Sequence, residues 1–177
     1  DILVILVVAV LVSFVIKTFL VRSFYIPSGS MEQTLMVKDR ILVDELTPRF
    51  SGYDRGDVVV FRDPGGWLPV STTPDRGPLV ESFDWLMSLV SEDHLIKRII
   101  GVAGDHVVCC NQLGQVEVNG TPIDETPYLD LAAGQSAPQV VPYDVTVPDG
   151  SLWVLGDNRD HSRDSRYNMD QPSHGFV

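Results

Sequence analysis

Positive charge is scarce: 13 Lys and Arg stand against 24 Asp and Glu in 177 residues, a formal net charge of −11. Nucleic-acid binding needs clustered cations, so nucleic acid is not expected as a partner. Cysteine is scarcer still, with only the adjacent pair Cys109 and Cys110. Neighbouring Cα atoms lie ~3.8 Å apart across a trans peptide, short of the usual disulfide span, so two thiols on opposite faces of a strand are expected. No C-x-x-C or H-E-x-x-H spacing occurs, and the four histidines are scattered. Neither a metal site nor a histidine-based triad is expected, and no cofactor. G-x-S-x-G is absent as well, as are internal repeats and low-complexity tracts.

Long hydrophobic runs are also few, and one dominates. Ile2 to Leu20 reads ILVILVVAVLVSFVIKTFL, with Lys17 as its only charge. About 20 such residues in a helix reach roughly 30 Å, the thickness of a bilayer's hydrocarbon core. A cleaved signal peptide would carry an apolar region of only ~7–15 residues ending at a small-residue site, and VRSFYIPSGSM offers none. Residues 1–21 are therefore expected to be a transmembrane anchor. The chain starts at Asp1 against this run and stops at Val177, and reads as a segment clipped at both ends.

Beyond the anchor, residues 22–177 change to short β-branched runs between turns. Ile41–Asp44, Val58–Phe61, Leu95–Val102, His106–Cys110, Gln115–Val118, Val140–Val147 and Leu152–Leu155 are the strand candidates. Asn119-Gly120 between Val118 and Thr121 is a two-residue hairpin signal, which explains the Asn-Gly-Thr triplet better than glycosylation does. Four Pro and three Gly between Asp63 and Pro78 predict a loop, part of an insertion over about 63–91. Within it Phe83, Leu86, Met87 and Val90 fall at the spacing of a short amphipathic helix. The expected fold is mostly β: an antiparallel, partly closed barrel behind one N-terminal helix.

Three clusters carry chemistry. Pro27-Ser28-Gly29-Ser30-Met31 can hold a serine in a defined turn, or serve as a polar linker past the anchor. Lys97-Arg98 interrupts an apolar strand, so one of the two charges faces whatever side is buried. An edge strand protected by charge is the bland alternative. Gly156 to Arg166 (GDNRDHSRDSR) is dense in hydrogen-bonding side chains. It is not a calcium loop, because Arg159 occupies a ligand position and Ser162 the turn glycine.

In this order behind an anchor, SGSM, KRIIGVAGD and GDNRDHSRDSR, together with RGDVVVF at Arg55 to Phe61, resemble the bacterial type I signal peptidases. The resemblance implies a membrane-bound serine endopeptidase that removes signal peptides from exported preproteins. Its catalytic domain would lie on the extracytoplasmic side of the cell membrane. The partners would be signal peptides and the bilayer, with the export machinery as a further candidate. By position, Ser30 would be the nucleophile, Lys97 the general base and Ser28 an oxyanion donor. Ser162 would orient the lysine, and Asp157, Asp164, Arg98 and Arg166 would be structural charges. Phe24, Ile26 and Ile96 would line shallow pockets for small residues before the cut. His161 stands where many members have Asn. A self-cleaving repressor-type protease and an inactive anchored binder of exported chains are the competing readings; the apolar run argues against the first, the complete Ser/Lys motifs against the second.

The chemistry of such a pair is demanding. A serine hydroxyl is a poor nucleophile until a base takes its proton, and a lysine is a base only when neutral. Its reference pKa of about 10.4 must fall, which desolvation among Leu95, Ile96, Ile99 and Ile100 would achieve. Ser30 lies eight residues past Arg22, which tethers it within ~29 Å of the bilayer surface.

Overall fold

The computed structural model describes residues 2–19, 21–68, 94–130 and 141–177, with the backbone alone over 13–19 and 21–22. The expected helix at 81–90 and most of the insertion lie outside the described residues. Helix α1 spans Ile2–Phe19, 18 residues without an acidic group in its first turn. Its described side chains, Ile2 to Val12, are all exposed, so no face of this stretch packs on the domain. Among the described residues no helix is long and apolar enough to cross a membrane. The described side chains of α1 end at Val12, well short of the run seen in the sequence.

The strands are β1 Val21–Tyr25, β2 Arg40–Asp44, β3 Val58–Arg62, β4 His94–Gly101, β5 His106–Cys109, β6 Glu117–Val118, β7 Thr121–Pro122, β8 Tyr143–Thr146 and β9 Trp153–Leu155. A one-turn helix α2, Pro48–Ser51, separates β2 from β3. Every pairing between these strands is antiparallel. They form three sheets: β1–β2, then β3–β4–β9, then β7–β6–β5–β8. The partly closed barrel expected from the sequence is therefore corrected, since no closed barrel forms among the described residues. Closure needs one ladder running round all strands. Here the β4–β9 ladder shifts register between Ile99 and Gly101, and β5 pairs with β6 and β8 instead.

β4 lies between β3 and β9, which removes the edge-strand explanation for its two charges. Three apolar clusters hold the sheets. Ile100, Val107, Val116, Val118, Trp153 and Leu155 join the second and third sheets. Ile99, Val154 and Trp67 pack together, and Ile26, Met31 and Ile96 form the third cluster. The Asn119-Gly120 hairpin is present, with φ of 54° and 76°, the left-handed pair that this turn requires. Asn119 spends its side chain there, accepting from the His106 amide and donating to Asp105.

The expected free thiols are corrected too: Cys109 and Cys110 form a disulfide. Their Cα atoms are 3.0 Å apart and the peptide between them is cis.

Candidate active site

Ile26 leaves β1 with its amide on the Asp39 carbonyl and its own carbonyl accepting from Lys38, which fixes the exit of the strand. The chain then makes a single 3-10 turn over Gly29–Met31 that buries Ser30 and Met31. Across from it, Lys97 stands opposite Val59 on the central strand β4 and is 3 % exposed. Its Nζ lies 2.7 Å from Ser30 Oγ and donates a second bond to the Ile96 carbonyl at 3.0 Å. Burial pulls the Lys97 ammonium down from 10.5 to about 8, against the opposing pull of Asp164 and Asp157. A substantial neutral fraction at mildly alkaline pH follows, and a neutral amine can accept the serine proton across the same short distance.

The loop after β9 closes the site. Asp157 accepts both Arg98 Nε and Nη2, at 2.8 and 2.7 Å, and the Thr34 hydroxyl. Asp164 accepts Arg166 Nε and Nη2, at 2.8 and 2.9 Å, and the Gly156 amide at 3.0 Å. Both carboxylates are fully buried and both are met by bidentate guanidinium forks. The Asn158 amide donates to the Ser30 carbonyl at 3.1 Å. Gly156 admits no side chain, since a Cβ there would lie 2.5 Å from the Ser30 carbonyl oxygen and 2.2 Å from Ser162 Oγ.

Most of the residues singled out in the sequence thus come together, with differences. Ser28 is exposed at the rim, its Oγ donating to Ser30 Oγ over 3.4 Å. Ser162 is buried beside Gly156, but its Oγ has no hydrogen-bond partner, so the expected bond to Lys97 is not formed. Lys97 turns instead to Ser30 and to the carbonyl of its own neighbour. His161 is exposed and bonds through Nδ1 to Asn158 Oδ1 at 3.1 Å. Phe24 lines a cavity of about 720 Å³ together with Leu35, Ile41, Val60 and His94. Ile26 and Ile96 lie behind it, in the apolar cluster to which Leu35, Ile41 and Val60 also belong.

Sequence reasoning missed Met31, Leu35, Ile41 and Val60 as walls of this region. The period-2 pattern of the strands was the available signal for the last two. It also missed Glu125, whose carboxylate meets the Arg159 guanidinium with both groups buried. A lone Glu between turn residues carries no local sign that it will be buried.

A family model described as signal peptidase, peptidase S26, matches residues 1–177. The signal peptidase I of Mycobacterium tuberculosis is 42% identical over 160 residues, which cover 80% of this chain and 53% of the relative. A probable signal peptidase I of Mycobacterium leprae is 41% identical over 159 residues, covering 80% and 54%. Signal peptidase I U of Bacillus subtilis is 31% identical over 156 residues, covering 86% and 68%. The chain spans about half the length of the mycobacterial relatives it matches.

Proposed function

The chain belongs to the signal peptidase family, peptidase S26, and from that membership we propose that it is a membrane-anchored serine endopeptidase that cuts signal peptides from exported preproteins. Ser30 is the nucleophile and Lys97 the general base. The observation that carries the reading is the buried contact of 2.7 Å between Lys97 Nζ and Ser30 Oγ, with the lysine held near 8.

In this mechanism Ser30 Oγ attacks the scissile carbonyl as its proton passes to Lys97. The Ser30 amide and the Ser28 hydroxyl receive the developing oxyanion. The tetrahedral intermediate collapses, Lys97 hands its proton to the departing amine, and water attacks the acyl-serine with Lys97 again as base. Small residues before the cut would fit the apolar region lined by Phe24, with Ile26 and Ile96 packed behind it. The Arg98–Asp157 and Arg166–Asp164 pairs hold the loop against the nucleophile.

Residues 1–21 act as the anchor and 22–177 as the extracytoplasmic catalytic domain. The apolar run in the sequence continues from Ile2 to Leu20, and about 20 such residues would reach roughly 30 Å as a helix. Apolar side chains exposed on all sides, as over Ile2 to Val12, favour lipid over water around this helix.

The test is cleavage of a presecretory protein by the chain in detergent or lipid, followed across pH. Lysine acts as base only when neutral, so kcat/KM is expected to rise as pH rises through about 8. A rate already at its plateau by pH 7, as a histidine base would produce, would overturn Lys97 as the base. Ser28→Ala is expected to lower kcat on the order of 10²–10³-fold with little change in KM, read from the same assay.

A further inference from the structure

The Glu125–Arg159 pair has no place in the mechanism above, yet it is among the most buried ionic contacts described. The two side chains are 8 % and 2 % exposed. Arg159 Nη1 donates to Glu125 Oε2 at 3.2 Å, and Nη2 donates to Oε1. The remaining donor of the fork, Nε, reaches the Gly156 carbonyl at 3.0 Å. Gly156 is thus gripped from two sides, its amide by Asp164 and its carbonyl by Arg159. Its Cα packs so closely on the Ser30 carbonyl and Ser162 that a Cβ would clash with both.

Glu125 sits in residues 123–130, a stretch stitched to the site at several points. The Asp130 amide donates to the Asp157 carbonyl at 3.0 Å, and Gln33 Nε2 donates to Asp130 at 2.6 Å. Arg98 lies 4.2 Å over the Tyr128 ring, and the Tyr128 hydroxyl donates to Glu125.

We propose that Glu125 is a positioning residue for the Ser30–Lys97 pair, aiming Arg159 so that its Nε holds the Gly156 backbone against Ser30. This rests on the dyad reading given above. A buried ion pair by itself is weak evidence for stability, because packed apolar residues often serve as well. An apolar pair cannot supply the bond to the Gly156 carbonyl. Reactive geometry is sensitive to that loss, since a shift of ~1 Å at a reacting group can cost on the order of 10²-fold in rate.

The experiment uses the full chain in detergent with a presecretory protein as substrate, reading kcat, KM and Tm. The double variant Glu125→Met/Arg159→Met leaves no uncompensated charge. It is expected to keep its Tm while kcat falls roughly 10- to 100-fold and KM stays within about threefold. Recovery of wild-type kcat along with Tm would reduce the pair to a structural contact and overturn the proposal. If the double variant does not fold, Glu125→Gln decides, because its amide oxygen still accepts from Arg159 but without charge. Its Tm is expected to fall with the lost counter-charge; at a temperature where it stays folded, kcat about three- to tenfold lower supports positioning, and wild-type kcat overturns it. Ser30→Ala and Lys97→Ala run beside these. Full cleavage by either would bring down the dyad reading itself, whereas inactive dyad variants beside fully active Glu125 variants would sink only the positioning role.

Discussion

Lys97→Met is expected to lose cleavage by 10⁴-fold or more while making the fold more stable at neutral pH. The rate loss follows from removing the only side-chain nitrogen bonded to Ser30 among the described contacts, and Ser30→Ala should lose as much. The stability gain follows from burial. Lys97 holds its proton to about 10.5 when solvated but only to about 8 in the folded chain. Between those values the unfolded chain binds more protons, so the native state is stabilised as pH rises from 8 to 10.5. Below 8 the full penalty of a buried ammonium is present, about 3 kcal/mol. A methionine of similar length escapes it, less the value of the lost bond to Ser30. Urea unfolding should therefore show Lys97→Met ahead of the parent at pH 7, with the advantage shrinking toward pH 10.5. A variant that unfolds more readily than the parent at pH 7 would mean that Lys97 is not desolvated as its burial indicates.

Asp157→Ala is expected to destabilise the chain by about 3–5 kcal/mol. The carboxylate takes both ends of the Arg98 fork and the Thr34 hydroxyl with no exposure to solvent. Removing it leaves Arg98, whose side chain is 12 % exposed, without its counter-charge beside the site. The double variant Arg98→Met/Asp157→Leu should recover most of that loss, because it removes both charges together. Midpoints of urea unfolding for the two singles and the double give the coupling directly. A single variant within about 0.5 kcal/mol of the parent would show the pair to be solvated and weak.

Local features were legible in the chain and distant pairings were not. The apolar run Leu95 to Val102 placed Lys97 and Arg98 on a strand, and the Asn119-Gly120 turn needed nothing beyond its own dihedral preferences. The order of the serine, lysine and GDNRD segments sufficed to point to the family. Strand closure was misjudged because a barrel depends on registers between strands, and the shift at Ile99–Gly101 carries no local mark. The Cys109–Cys110 bridge was not legible, because the usual span of a disulfide argues against adjacent residues.

The sequence by itself determined an apolar N-terminal helix, a β-rich chain and a serine and a lysine set in recognisable surroundings. Those follow from side-chain periodicity and backbone preference, which act over a few residues. Only the tertiary structure decided that β4 is central, that Lys97 Nζ reaches Ser30 and that Ser162 stays unpartnered. It alone joined Arg55 to Asp105, 50 residues on, and Glu125 to Arg159, 34 residues on. The physical reason is desolvation: a charge chooses its partner, and a lysine surrenders its proton, according to what the packed chain leaves around it. That surrounding is assembled from segments far apart in sequence.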